Sequence, residues 1–155
     1  MKGNIWKIIG AGAAALLCMA PLAACRPSAD IGNARVEICS SDETCVVIEV
    51  LAGDNTKSLY DALSVLQKDG SLTFGGSESQ YGFYLTSLNG TEATDEYYWA
   101  VYTTLESLDE TVYSSASFGT LEYEDKTLAL ASYGVSGLPL AEGELYAIVW
   151  TEIDA

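Results

Sequence analysis

The chain has 155 residues with 22 acidic and 7 basic side chains, a net charge of −15, and no histidine. Such an acidic surface repels nucleic acid and anionic lipid headgroups, which excludes nucleic acid as a partner. Without histidine the usual general base and metal ligand is missing, and no Ser-x-x-Lys, Gly-x-Ser-x-Gly or phosphate-binding glycine loop occurs. We therefore expect a protein that is not an enzyme and that holds neither a metal nor a cofactor.

Residues 1–24 have the features of a bacterial lipoprotein signal peptide. Lys2 and Lys7 form a positively charged start, and residues 8–19 supply an apolar run that is too short for a membrane span. Residues 22–25 read Leu-Ala-Ala-Cys, so that small residues precede Cys25. We expect Cys25 to be acylated and to become the mature N-terminus. An ordinary secretory signal, with Cys25 incidental, is the alternative.

Removal of residues 1–24 leaves 131 residues (155 minus 24), with 5 basic against 22 acidic side chains and a net charge of about −17. This length suits one domain. Residues 25–33 are predicted to be a polar, lipid-anchored tether, and residues 34–155 the folded domain. The protein is thus expected outside the cytoplasm, attached to the bacterial membrane through its N-terminal lipid.

Two cysteines remain in the predicted domain, Cys39 and Cys45, on either side of a Ser/Asp-rich turn. Disulfides persist in exported proteins, and a hairpin would bring the two residues opposite each other. A disulfide that closes this hairpin is favoured over two unbonded thiols. A zinc site would need further ligands.

The first elements are predicted to be a hairpin and a helix. The hairpin strands cover residues 34–38 and 46–51. Ser58 and Asp61 have the spacing of a capping box, and Gly70 provides a stop. The helix between them carries one apolar stripe, formed by Leu59, Ala62, Leu63 and Leu66.

A short strand over residues 72–74 and a Gly/Ser loop over residues 75–80 are expected next. Residues 81–105 are then rich in aromatic and β-branched side chains and are predicted to form two strands, residues 82–88 and 96–104, joined through Asn89-Gly90. Period-2 alternation in the second strand gives two faces, one with Tyr97, Trp99 and Val101 and the other with Tyr98, Ala100 and Tyr102. We expect one face to pack on the core and the other to present rings to a partner.

The remaining chain is predicted to be mostly strand. Residues 106–117 are expected to be irregular, residues 120–123 and 127–131 to form a hairpin, and residues 145–153 to form the last strand. The order of elements favours an α+β fold of the β-grasp kind, a mixed sheet curled around a single helix, with a hairpin first and an extra C-terminal hairpin. A small sandwich with an inserted helix is the alternative.

Ten tyrosines and three tryptophans are the main functional signal. A ring of this kind can be sheet core with its polar tip at the rim. Tyrosines on an exposed sheet face can instead form a flat platform for sugars, corrins or a protein.

Three segments resemble, in order, the C-terminal β-domain of transcobalamin and intrinsic factor and related domains of bacterial surface lipoproteins. They are GFYLTSLNG (residues 82–90), YYW (97–99) and LAEGELYAIVW (140–150), and SLYDAL (58–63) fits the start of that family's helix. The resemblance implies a β-grasp-like domain in which Trp99 and the next two residues, Ala100 and Val101, face a corrin. The expected ligand-binding residues are Tyr98, Trp99, Ala100, Val101 and Tyr102, with cobalamin as a possible ligand.

The sequence therefore predicts a membrane-anchored, extracytoplasmic module that binds a small molecule without catalysis, possibly a corrinoid. The alternative is a surface adhesion or assembly module that binds a protein or glycan through an aromatic sheet face.

Overall fold

The computed structural model describes residues 26–154 and the backbone of Ala15–Leu16. The predicted lipidation site Cys25, and the predicted signal peptide apart from Ala15–Leu16, lie outside the described residues. The elements are strands β1 (Ala15–Leu16), β2 (Ser28–Ile31), β3 (Ala34–Ser41), β4 (Cys45–Ala52) and β5 (Asp54–Ser58), helix α1 (Leu59–Lys68), strands β6 (Phe74–Ser79), β7 (Gly82–Leu88), β8 (Thr91–Glu92), β9 (Tyr97–Thr103), β10 (Ser107–Leu108), β11 (Thr111–Val112), β12 (Ser114–Tyr123) and β13 (Lys126–Ala131), a 3-10 turn (Val135–Gly137), and strands β14 (Pro139–Leu140) and β15 (Leu145–Glu152).

One large sheet organises the molecule, in the strand order β1-β12-β13-β9-β15-β4-β3-β2. Its neighbouring strands are antiparallel except β1 and β12, which are parallel. A three-stranded sheet, β6-β7-β8, and the pairs β14-β5 and β10-β11 complete the fold. Since α1 is the one α-helix of the described residues, the architecture is α+β, as predicted.

Helix α1 begins and packs as the sequence predicts. The Ser58 amide donates to Asp61 Oδ2 (2.8 Å), and the Asp61 amide donates to Ser58 Oγ (3.3 Å), which completes the capping box. Asp69 ends the helix, and Gly70 follows with a φ of 83°. The predicted apolar stripe is fully buried, namely Leu59, Ala62, Leu63 and Leu66.

The large sheet buries side chains on both of its faces. The helix-side core contains α1 residues together with Trp99, Val101 and Ile148. The second core lies on the opposite face. It brings Leu121, Tyr123 and Leu128 of β12–β13 together with Cys39 of β3, although these strands lie towards opposite ends of the sheet order. The buried residues of the second core are Cys39, Cys45, Val47, Ala100, Tyr102, Leu121, Tyr123, Leu128, Leu145, Ala147 and Val149. The sheet must therefore curl around the second core.

The predicted tether is partly folded. Residues 28–31 form β2, which pairs with β3 from Ser28↔Glu37 to Ile31↔Ala34. Ala29 and Ile31 alternate with exposed residues and are buried in the helix-side core. Because these two apolar side chains alternate with polar ones, the segment can pair as a strand at the edge of the sheet and bury both of them.

The two aromatic strands predicted as one hairpin belong to different sheets. The Asn89-Gly90 turn forms as expected, with φ values of 49° and 84°, but it connects β7 to β8. On its other side β7 pairs with β6, in the segment predicted to be a Gly/Ser loop. Gly76 permits this pairing, because a Cβ there would lie 2.0 Å from the Tyr84 carbonyl oxygen.

The region predicted to be irregular, residues 106–117, also contains strands. Residues 107–108 and 111–112 form the small hairpin β10–β11, whose turn residues Asp109 and Glu110 both have positive φ. Strand β12 then starts at Ser114 and pairs with β13 in the predicted C-terminal hairpin. The hairpin is thus longer than the sequence pattern indicated.

The structure also differs from the expectation at the two cysteines, because no disulfide joins Cys39 to Cys45. The β3–β4 register shifts between Ile38 and Ser40, so that Cys39 lies level with Val47 and Ile48 and not opposite Cys45. A disulfide requires closely opposed Cα atoms. Burial, and then the nearby Glu49 carboxylate, raise the pKa of the Cys39 thiol to about 11.

We predict that Cys39 resists alkylation in the native protein and reacts once the protein is unfolded without reductant. A thiol that is buried and protonated is a poor nucleophile. Mass spectrometry after iodoacetamide treatment, with and without denaturant, measures both states. Failure to label Cys39 in the unfolded, non-reduced protein would instead support the disulfide that the sequence suggested.

Candidate functional site

Strand β9 is covered unequally on its two sides. Strand β15 pairs with the whole of β9, from Tyr97↔Glu152 to Thr103↔Tyr146. Strand β13 pairs only with Tyr102 and Thr103. Within the described chain, no strand pairs with residues 97–101 on the side that faces away from β15. We call this side the open edge.

The backbone of Trp99 and Val101 points towards the open edge. Antiparallel ladders alternate their hydrogen bonds between the two sides of a strand. The Thr104 amide donates to the Leu145 carbonyl oxygen (3.1 Å), which directs the even-numbered residues towards β15. The backbone groups of Trp99 and Val101 therefore point the other way. The Tyr102↔Leu130 pair with β13 engages the Val101 carbonyl oxygen through the Ala131 amide, and Trp99 lies beyond the end of that pairing.

The side chains of the predicted ligand-binding residues are mostly packed inside. Trp99 is 6% exposed, and its Nε1 donates to the Thr91 carbonyl oxygen (3.1 Å), which ties the ring to β8. Val101 is buried beside it in the helix-side core, whereas Ala100 and Tyr102 are buried in the second core. Tyr98 is half-buried. The alternation of faces is confirmed, but both faces are core, so neither presents a row of rings.

Burial raises the pKa of the two tyrosines of β9 that belong to, or pack against, the second core. It raises the pKa of Tyr102 to about 12, with smaller contributions from Tyr98 and Asp154. Burial is also the main cause that raises the pKa of Tyr98, and Asp154 adds to it. Both phenols are therefore neutral near pH 7 and can donate hydrogen bonds.

Aromatic rings lie at both ends of the open edge. Tyr97 stacks on Trp150 at one end, with ring centroids 4.1 Å apart and planes 13° from parallel. At the other end, β13 leaves β9 after Ala131, and the ring of Tyr133 contacts that of Tyr113 at 5.5 Å. Both ring pairs retain exposed surface. Thr94 bonds both backbone groups of Tyr97, so the open edge is a short stretch of backbone centred on Trp99, between two aromatic rims.

Sequence reasoning identified β9 but missed the Tyr97–Trp150 pair. Trp150 was expected only as part of the last strand, although it lies directly across from Trp99 in the register. Its Nε1 is buried with no hydrogen-bond partner among the described residues. The pair could have been predicted from the YYW motif of β9 and the AIVW motif of β15. If two such strands pair in antiparallel fashion, aromatic side chains on the same face of the sheet come into contact.

The described residues contain no group of three or more potential metal ligands. They also include no helix whose length and apolar character would let it span a membrane. A scan against protein-family models finds none that matches the chain, and no curated protein matches it either.

We predict that Trp99→Ala costs about 3 to 5 kcal/mol of stability, because it removes a buried ring from the helix-side core. Trp99→Phe is the matched control, since it keeps an aromatic ring and loses the bond to Thr91. Chemical denaturation of both variants measures the costs. Equal, negligible losses would contradict the packing role.

We predict that the protein loses stability as the pH rises from about 10 to about 12, where Tyr102 is ionised in the unfolded chain and still protonated in the folded one. The raised pKa of the buried Tyr146 acts in the same direction. Tyr102→Phe should flatten this part of the profile, and Tyr84→Phe, at an exposed ring, should not. Urea unfolding at a series of pH values measures the slopes; identical slopes for the wild type and Tyr102→Phe would refute the assignment.

Proposed function

We propose that this protein is a membrane-anchored, extracytoplasmic module that binds a small molecule at the open edge, with a corrinoid as the candidate ligand. The observation that supports the proposal is the open edge itself, a stretch of backbone in a central strand that the neighbouring strand leaves uncovered. The resemblance to the C-terminal β-domain of transcobalamin and intrinsic factor implies that the same residues, Trp99 to Val101, face a corrin. In this proposal the fold is β-grasp-like.

The chemistry of the open edge suits such a ligand. A corrin carries carboxamide groups around its rim, and these can both donate to and accept from peptide groups. The backbone of Trp99 supplies both a donor and an acceptor, while the stacked Tyr97–Trp150 pair offers apolar surface beside them. In this arrangement Trp99 acts as the packed support of the strand and contributes its backbone to the ligand.

A second candidate, docking of a protein through an aromatic sheet face, receives less support. Such docking requires exposed rings on β9, yet Trp99 and Tyr102 are buried in the two cores. The exposed tyrosines of the neighbouring hairpin, Tyr81 and Tyr84, lie on β7 or its turn and not on the large sheet.

Attachment to the membrane completes the proposal. Residues 22–25 read Leu-Ala-Ala-Cys, so we expect cleavage before Cys25 and its acylation, and only Arg26 and Pro27 separate Cys25 from β2. A fully extended link of two residues spans roughly 7 Å. The domain would therefore stand directly on the membrane surface.

The binding proposal predicts that Tyr97→Ala weakens cyanocobalamin binding about tenfold, because it removes one ring of the rim without opening a core. Tyr84→Ala, which removes an exposed ring elsewhere, is the matched control. Equilibrium dialysis of the detergent-solubilised lipoprotein measures affinity, and melting temperature is recorded for each variant. No retention of cyanocobalamin by the wild type, or equal binding by both variants, would overturn the proposal.

The anchoring proposal predicts that Cys25→Ala leaves unprocessed precursor without lipid label. Cys39→Ala is the matched control, because that residue lies inside the folded domain and should be labelled through Cys25 as usual. Metabolic labelling with a palmitate analogue, followed by gel analysis, measures both. Normal processing and labelling of Cys25→Ala would show that another residue carries the lipid, or that none does.

A further inference from the structure

A pocket of about 460 Å³ lies at the Thr103–Thr104 end of β9, between that strand and the β12–β13 hairpin. Pockets that hold small ligands begin at roughly 300 Å³. Most of its lining residues are serine or threonine, among them Thr104, Ser115, Ser117, Thr120 and Thr127. The pocket is at the opposite end of β9 from the stacked Tyr97–Trp150 pair and plays no part in the proposed corrinoid site.

A large bulge in β12 forms one border of this pocket. Ser115 pairs with Leu130, and the next pair along the strand is Thr120 with Ala129, so residues 116–119 leave the ladder. Gly119 permits the excursion with a φ of 144°. Ala116 and Ser117 of the bulge line the pocket, whereas Phe118 does not and is 70% exposed. Bulges of this kind redirect side chains and are common beside functional sites.

The hydroxyl groups of the pocket form a mixed set of donors and acceptors. Thr127 Oγ1 donates its proton to Glu122 Oε1 (2.6 Å), which leaves its oxygen as an acceptor. Ser115 Oγ and Ser117 Oγ are 2.7 Å apart and share one hydrogen bond, so one of the two protons remains to be donated. A ligand in the pocket would thus meet groups of both kinds within a few ångströms.

The charge and polarity of the lining narrow the ligand class. The lining contains one carboxylate, Glu106, and no cationic side chain, and the protein is strongly acidic, so an anion would be repelled. A wholly apolar ligand would displace the water that hydrates the hydroxyl groups and would not replace the hydrogen bonds that this water makes. A neutral polyhydroxylated ring satisfies both conditions, because it carries no charge and its hydroxyl groups both donate and accept hydrogen bonds.

We propose that this pocket binds a neutral saccharide, with the hydroxyl groups of β12 and β13 that line the pocket bonding the hydroxyl groups of the sugar. The site would give the protein a second ligand, of a different chemical class from a corrinoid. A glycan at a cell surface could then hold the domain in place independently of the open edge.

Saturation-transfer NMR of the full lipoprotein, in micelles of a detergent without a sugar headgroup, tests the proposal with cellotriose as the neutral probe. A trisaccharide of galacturonic acid is the charged comparison. We expect saturable transfer to cellotriose and at least tenfold weaker binding of the acidic sugar. No transfer to cellotriose, or equal binding of the two sugars, would overturn the proposal.

Variants locate the binding. Thr127→Val and Thr120→Val each keep the shape of a lining side chain and remove its hydroxyl group, so each should weaken cellotriose binding several-fold. Tyr81→Ala, at a ring 90% exposed on another hairpin, should leave the binding unchanged. Unchanged binding by both threonine variants, or an effect of Tyr81→Ala alone, would refute the site. Thr120 and Thr127 lie outside the open edge, so cyanocobalamin binding is an independent reading that neither variant should alter.

Discussion

The alternation of side chains along β9 is the constraint on which the rest of the structure depends. A strand in the middle of a sheet sends successive residues to opposite faces. Trp99 and Val101 therefore enter the helix-side core, and Ala100 and Tyr102 enter the second core. A substitution in this strand disturbs packing on the face to which it points, and β9 can offer a ligand little except its backbone and its ends.

Much of the fold could be predicted where local chemistry decides it. The capping box of Ser58 and Asp61 and the apolar stripe define α1, and the aromatic and β-branched content of β7, β9 and β15 marks them as strands. The Asn89-Gly90 turn was also recognisable. What the sequence could not supply was the partner of each strand, because pairing depends on contacts between residues that are far apart in the chain.

The errors have the same physical origin. Residues 74–79 are rich in glycine, serine and glutamate and resemble a loop, yet β7 provides an edge on which they form β6. Residues 28–31 resemble a tether until the edge of β3 is present to receive Ala29 and Ile31. Part of the candidate site could be predicted, because alternation along β9 defines which residues share a face. The burial of both faces could not, because it results from the curl of the sheet that brings β12–β13 into contact with β3.

The position of β2 has a consequence for reach. It is an edge strand of four residues, held to the sheet on one side only and with two buried apolar side chains, and it directly follows the proposed lipid anchor. If Cys25 carries the proposed lipid and β2 separates from β3, the link between membrane and domain would lengthen from two residues to eight, Arg26 to Asn33. The pairing of this one edge strand would then set the height of the domain above the bilayer.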